Sequence, residues 1–202
     1  MDTAPERLVF SKQVHEDTVR AVTSKDSLGD IMKPVPYEAD ALITQEKQLP
    51  LIIFTADCMP ILLHDPSAPC IGACHAGWRG TVMDIAGKTV NAMLSLSNGN
   101  PKNIRAAIGP GIGPCCFETG SEVPQAVTAL LGDAGIECIS RQDGGKFMVD
   151  LPSVNKLLLI RAGVPADNIT VTSECTLCNN ERYWSHRHTD GRRGSQASLI
   201  ML

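Results

Sequence analysis

The segment ACHAGWRGT, residues 73 to 81, sets His75, Trp78 and Arg79 among alanines and glycines at the end of an apolar run. An imidazole there offers a proton acceptor or a metal donor, a guanidinium offers a bidentate grip on an anion, and an indole offers a stacking face. A histidine in a small-residue turn is also commonly an ordinary hydrogen-bonded structural residue, so the segment alone leaves both readings open. His15 lies in the strand-like stretch KQVHEDTV, and His64 ends the run LLHDP at a turn. His186 and His188 in WSHRHTD are two apart, so in a strand they would share a face, with Trp184 and Arg187 nearby. No pair has the helical H-x-x-x-H spacing, and spacing by itself makes none of these a metal site.

The chain has eight cysteines. Cys70 and Cys74 flank a strand-like run, Cys115 and Cys116 are adjacent, Cys138 stands alone, and Cys175 and Cys178 form a C-x-x-C. A structural zinc site made of four cysteines calls for a second C-x-x-C pair, which the sequence lacks. Most of these cysteines therefore read as small buried apolar residues in a reducing compartment. The glycines of IGPGIGP, Gly109, Gly111 and Gly113, are spaced G-x-G-x-G, which is neither the dinucleotide fingerprint nor the P-loop. A rigid turn is the expected role, although such a backbone can also approach a ligand closely.

The elements that must position these groups follow from the patterning. Apolar runs with β-branched residues at LPLIIFTA, PILLH, IGAC, IRAAIG, NITVTS and ASLIML, each bounded by Pro, Gly, Asp or Asn, read as strands. From Thr81 to Leu96, Ile85, Ala86, Val90, Met93 and Leu94 fall on one helical face, and SNGNP stops the helix. A second helix is expected from about Ser121 to Leu131, ending at Gly132. A third follows Asp150 as N-cap, with Pro152 in its first turn and Gly163 at its end. Adjacent strands before the first helix and alternation after it predict a mixed sheet in an α+β, or mixed α/β, fold.

At 202 residues and 43% apolar content the chain can bury a sizeable core, and one domain over residues 1–202 is expected. A net charge of −4 and a pI near 5.7, without a cluster of four basic residues, argue against nucleic acid and for small-molecule partners. No apolar stretch approaches the roughly 20 residues of a membrane span. The N-terminal MDTAPERLVF lacks the pattern of a secretory signal, so a cytoplasmic location is expected.

Taken together, QVH (13 to 15), EADALIT (38 to 44), TADCMPILLHDP (55 to 66), HAGWRGT (75 to 81), IGPGIGPCCFE (108 to 118), ECT (174 to 176) and WSHRHTDG with ASLIML resemble successive signatures of one family. It is the laccase-domain family, whose members carry the labels multicopper polyphenol oxidase, purine nucleoside phosphorylase and peptidoglycan editing factor. The resemblance runs in order from about residue 11 to the C-terminus. It implies a layered sandwich with helices outside mixed sheets, and a mononuclear metal site. The ligands it implies, carried over motif by motif, are His15, Cys58 and His75. His75 would then leave the sheet to meet the metal, and Gly77 and Gly80 would let the following turn come close.

One thiolate and two imidazoles are good zinc ligands, and a fourth position left to water or substrate marks a catalytic site. A water activated there could attack a purine ring carbon, or the metal could orient phosphate for attack on a nucleoside C1′. The reading is a zinc-dependent purine nucleoside phosphorylase, with adenosine deamination as a possible second activity. Cys58, His75 and Arg79 are its expected catalytic residues, and Arg187 and Trp78 the expected substrate contacts. The alternative is a copper-dependent polyphenol oxidase. A conventional multicopper centre needs on the order of ten histidines, and the chain has five; a single copper held by two histidines and a cysteine remains chemically open. Asp57 is expected either to orient a ligating imidazole or to make a turn.

Three departures from the family pattern bear on specificity. Only 12 residues precede Gln13 where relatives carry some tens, Glu16 follows the histidine where a small residue is usual, and Ser195 stands where Arg is common.

Overall fold

The six apolar runs read as strands are all present, and four of them belong to a central sheet that is apolar on both faces. A computed structural model describes residues 7–30 and 32–202. In chain order the strands are β1 (Val19–Ala21), β2 (Ala41–Thr44), β3 (Leu51–Thr55), β4 (Met59–Asp65), β5 (Cys70–Ala76), β6 (Arg105–Ile108), β7 (Glu118–Thr119), β8 (Ile139–Arg141), β9 (Phe147–Val149), β10 (Ile169–Val171) and β11 (Gln196–Ile200). The helices are α1 (Trp78–Val82), α2 (Ile85–Ser97), α3 (Glu122–Leu131), α4 (Asp133–Ile136) and α5 (Leu151–Arg161).

Six strands form the central sheet in the order β1-β2-β5-β4-β6-β10. The two outer pairings, β1 with β2 and β6 with β10, are parallel, and the three inner ones are antiparallel, so the sheet is mixed as expected. Alternation along β2 and β5 divides the molecule into layers. Ala41, Ile43, Cys70 and Cys74 face the core that contains α2 and α5. Leu42, Ile71 and Ala73 face the opposite core, shared with Leu51 and Ile53 of the antiparallel β3–β11 ribbon. A small antiparallel sheet, β7-β9-β8, lies apart from these.

The helix expected over Thr81–Leu96 is two helices. Asp84 adopts a left-handed φ of 62° and caps α2, its carboxylate accepting from Gly87 N at 3.2 Å while Arg161 Nη2 donates to it at 2.8 Å. Aspartate tolerates this conformation because its short side chain bonds locally, so the apolar stripe continues through the break. The other two helices match: Gly132 ends α3, and the Asp150 carboxylate accepts from Ser153 N at the start of α5. Among the described residues no helix is long and apolar enough to cross a membrane.

Candidate active site

The site forms where two loops meet the end of β5 at one edge of the sandwich. β5 carries His75 on the face of Ile71 and Ala73, two residues per step, and Asp40, immediately before its partner β2, lies on the face of Leu42. The ladder pairs Ala41 with Cys74, and His75 N continues it by donating to the Asp40 carbonyl at 2.7 Å. The His75 and Asp40 side chains therefore lie side by side, with Nδ1 2.7 Å from Oδ1. Both are buried.

The Asp40 carboxylate also builds the turn that holds His15. It accepts from the backbone N–H groups of Val14, His15 and Glu16 at 3.1, 3.0 and 2.9 Å. His15 sits in this turn with φ 65°, not in the strand its sequence suggested. Three converging N–H groups and a buried carboxylate outweigh the strand pattern of the segment. Gln13 anchors the other side. Its amide accepts from Phe54 N at 2.8 Å and donates to Phe54 O at 2.7 Å, pairing with β3 as a strand backbone would.

Cys58 arrives from the turn between β3 and β4, where Asp57 has a φ of 79°. Asp57 orients no imidazole. Its carboxylate accepts from Thr176 Oγ1 at 2.6 Å, Ser185 Oγ at 3.1 Å and Arg187 N at 2.7 Å, tying the C-terminal loops to the turn. The imidazole-orienting role belongs instead to Asp40, which sequence reasoning left unassigned although it lies within EADALIT.

His15, Cys58 and His75 converge: one donor atom from each lies within 4.8 Å of the other two. The two imidazoles meet edge to face, with ring centroids 4.7 Å apart. Room for this comes from Gly77, where a Cβ would lie 3.0 Å from Cys58 Sγ and 3.2 Å from His15 Cδ2. At Gly80 a Cβ would meet the Glu16 carbonyl at 3.0 Å, so the start of α1 packs directly on the His15 turn. Burial pushes the Cys58 thiol up, but hydrogen bonds to His15 and His75 overcome it and bring it down to about 6. Burial pushes His75 down, but bonds to Asp40 and Cys58 raise it to about 9. The donor set suits a metal ion of zinc or copper type: Asp40 occupies Nδ1 of His75, and the Cys58 sulfur is already stabilised as thiolate.

A cavity of about 430 Å³ opens beside the three donors and is lined by His15 and Cys58. Trp78, Arg79 and Arg187, all expected at the site, line it too. Arg79 lies over the Trp78 ring at 4.5 Å, and Arg187 donates to the Glu118 carbonyl at 3.2 Å. Two further cations line the cavity, Lys146 and Arg193, neither foreseen from the sequence. Arg193 reaches Ser195 Oγ at 2.8 Å. His186 and His188 lie in a turn, not a strand. The glycine-rich loop approaches protein instead of leaving space for a ligand: a Cβ on Gly111 would meet Met59 Cε at 2.1 Å and the Asp57 carbonyl at 2.8 Å.

The family model described as multi-copper polyphenol oxidoreductase laccase matches residues 1–202. The chain belongs to this laccase-domain family. Purine nucleoside phosphorylase YlmD of Geobacillus stearothermophilus is 36% identical over 198 residues, spanning 96% of this chain and 72% of the relative. Adenosine deaminase RL5, from an unknown prokaryotic organism, is 34% identical over 182 residues, 89% of this chain and 69% of that protein. The crystal structure titled Bacillus licheniformis hypothetical protein YfiH superposes with a TM-score of 0.95 at 34% identity, over 100% of this chain and 76% of that one. Laccase-domain relatives thus share the whole layered fold and bear names of nucleoside-processing enzymes.

Proposed function

We propose that residues 1–202 act as one catalytic domain, a metal-dependent purine nucleoside phosphorylase that converts adenosine or inosine and phosphate to free base and ribose 1-phosphate. Hydrolytic deamination of adenosine is the second activity of the same site. The observation that carries this reading is the meeting of His15, Cys58 and His75 at a cavity large enough for a nucleoside and lined by four cationic side chains. Names borne by relatives supply the substrate class.

His15, Cys58 and His75 would hold the metal, zinc in this reading, which supplies Lewis acidity and a cationic anchor for substrate oxygen. Asp40 fixes the His75 ring by accepting at Nδ1, so that imidazole presents its other nitrogen toward Cys58. Arg79 and Arg187 grip the phosphate, whose oxygen attacks C1′ as the bond to the purine nitrogen breaks. The bonding pair leaves with the base, and the proton that hydrogen phosphate gives up as the C1′–O bond forms ends on the departing purine nitrogen. Trp78 presents one face to Arg79, so its part in substrate binding is to close the cavity wall beside the sugar and base.

The experiment is a purine nucleoside panel, with and without phosphate, on zinc-loaded protein. Phosphate-dependent base release, lost at least about 100-fold in Cys58→Ala, supports the reading. It is overturned if the zinc form neither releases base nor makes inosine from adenosine, while copper-loaded protein oxidises phenols at tens of turnovers per second, on the order of ordinary enzymes.

A further inference from the structure

The four cysteines that the sequence spreads over two segments come together in space. Cys115 and Cys116 follow Gly113 in the loop after β6, and Cys175 and Cys178 lie in the loop after β10. Cys178 Sγ is 3.5 Å from Cys115 Sγ and 3.4 Å from Cys116 Sγ, and all four sulfurs lie within 4.8 Å of one another. The missing second C-x-x-C is replaced by an adjacent pair, which spacing rules do not flag.

Three features separate this cluster from packed apolar thiols. First, the sulfur spacing: a tetrahedral ion with zinc–sulfur bonds of about 2.3 Å needs sulfurs roughly 3.8 Å apart, a few tenths of an ångström from what is seen. Such a space admits one ion and leaves no room for a polynuclear iron–sulfur core. Second, Cys175 Sγ, itself buried, accepts from Gly113 N at 3.2 Å. A backbone N–H aimed at a buried sulfur suits a thiolate ligand. Third, Cys70 and Cys74 sit in the core, as small apolar cysteines should, whereas Cys115 and Cys178 are exposed. Exposed thiols packed on one another gain nothing from burial.

A disulfide does not account for the arrangement. Sulfurs bonded to each other lie about 2.05 Å apart, and all eight cysteines are free.

We propose that Cys115, Cys116, Cys175 and Cys178 form a second metal site that takes a single tetrahedral zinc ion in a structural role. Four protein ligands close the coordination sphere, so the ion cannot receive substrate. What it does is join two loops. One carries Ile112 and Phe117, which line the substrate cavity. The other carries Thr176, between the two cysteines of the C-x-x-C, whose hydroxyl donates to Asp57 next to Cys58. The existing bridge between Gly111 and Cys175 begins this junction, and the ion would lock it.

The test is metal content of protein purified under reducing conditions without added metal. Wild type is expected to bind two zinc ions per chain, Cys58→Ala one, and Cys175→Ser/Cys178→Ser one, the last melting about 5 to 10 °C lower. Cobalt substitution gives the site its own readout: tetrathiolate charge-transfer bands persist in Cys58→Ala and vanish in the double variant. If the double variant fails to fold, wild-type protein still decides the matter, because a chelator should expose five additional thiols to a thiol reagent, the four of this cluster and Cys58. Zinc content unchanged in the double variant, a gain of no thiol besides Cys58 on chelation, stoichiometric iron or copper at these cysteines, or a disulfide among them in freshly purified protein would each overturn the proposal. None of these results bears on the site at His15, Cys58 and His75, so failure here leaves the phosphorylase reading standing.

Discussion

Asp40 and His75 stand opposite each other one step beyond the β2–β5 ladder, joined twice: main chain to main chain at 2.7 Å and Oδ1 to Nδ1 at 2.7 Å. The same carboxylate accepts from three consecutive N–H groups of the His15 turn. One buried side chain thus sets the ring of one proposed ligand and the backbone of another. A carboxylate so placed fixes the imidazole tautomer and raises its basicity as a ligand.

Asp40→Asn keeps the shape and loses the charge. Zinc affinity at the histidine–cysteine site should fall by about 10 to 100-fold, typical for loss of a carboxylate behind a ligating histidine. A zinc competition titration with a chromophoric chelator measures this directly. Undiminished affinity would mean that Asp40 serves the fold alone. Nucleoside turnover at saturating zinc should then fall through kcat more than KM, since the residue touches no substrate.

Gly77 has φ −68° and ψ 168°, an extended conformation open to any residue, so alanine is no burden to the backbone there. The added methyl would nevertheless lie 3.0 Å from Cys58 Sγ and 3.2 Å from His15 Cδ2. Gly77→Ala should fold with a stability loss of about 1 to 3 kcal/mol, the usual effect of overpacking, while losing stoichiometric metal at this site. A melting curve and a zinc analysis on the same sample separate the two effects. Full metal retention would show that the ligands rearrange around the methyl.

Asp57 holds three donors from the C-terminal loops. Asp57→Ala leaves them unpaired and removes a residue type that tolerates a φ of 79°. The expected destabilisation is about 3 kcal/mol, read as a melting point lower by about 6 to 12 °C. Asp57→Asn, which retains an acceptor and the left-handed conformation, should lose less than half of that. Equal losses in the two variants would place the effect in the backbone and not in the carboxylate.

How far the sequence revealed these features depends on the kind of signal each element carries. Strands such as β3 to β6 were legible because β-branched apolar runs were bounded by turn residues. The three-residue β1, β8 and β9 and the two-residue β7 are too short to show a period. The break at Asp84 was hidden because the apolar stripe runs through it. Convergence of His15, Cys58 and His75 followed from whole motifs, not from spacing, since two come from separate loops and the third from strand β5. Asp40 escaped because its partners are backbone N–H groups over 20 residues away and a ring across a ladder. Cys115 and Cys116 escaped because their partners lie about 60 residues downstream, in a loop that the Gly111–Cys175 bridge brings alongside.

The buried cysteines should differ sharply in reactivity. Burial pushes Cys70 up to about 11 and Cys74 up to about 12, so at neutral pH both are protonated and enclosed. Cys58, held down at about 6 by the two histidines despite its burial, is ionised above that pH in metal-free protein. Only the thiolate attacks an alkylating reagent. Iodoacetamide labelling of Cys58 in chelator-treated native protein should therefore rise between pH 5 and pH 7 and then level off, whereas an ordinary thiol keeps accelerating until about pH 8.5. Zinc should suppress the labelling, because the bound sulfur is no longer free to attack. Cys70 and Cys74 should stay unlabelled throughout, until denaturant is added. Peptide mapping by mass spectrometry assigns each site. A Cys58 rate that climbs about tenfold per pH unit up to pH 8 would show that His15 and His75 do not stabilise its thiolate, and the donor set would then lose the preformed charge that suits it to a metal.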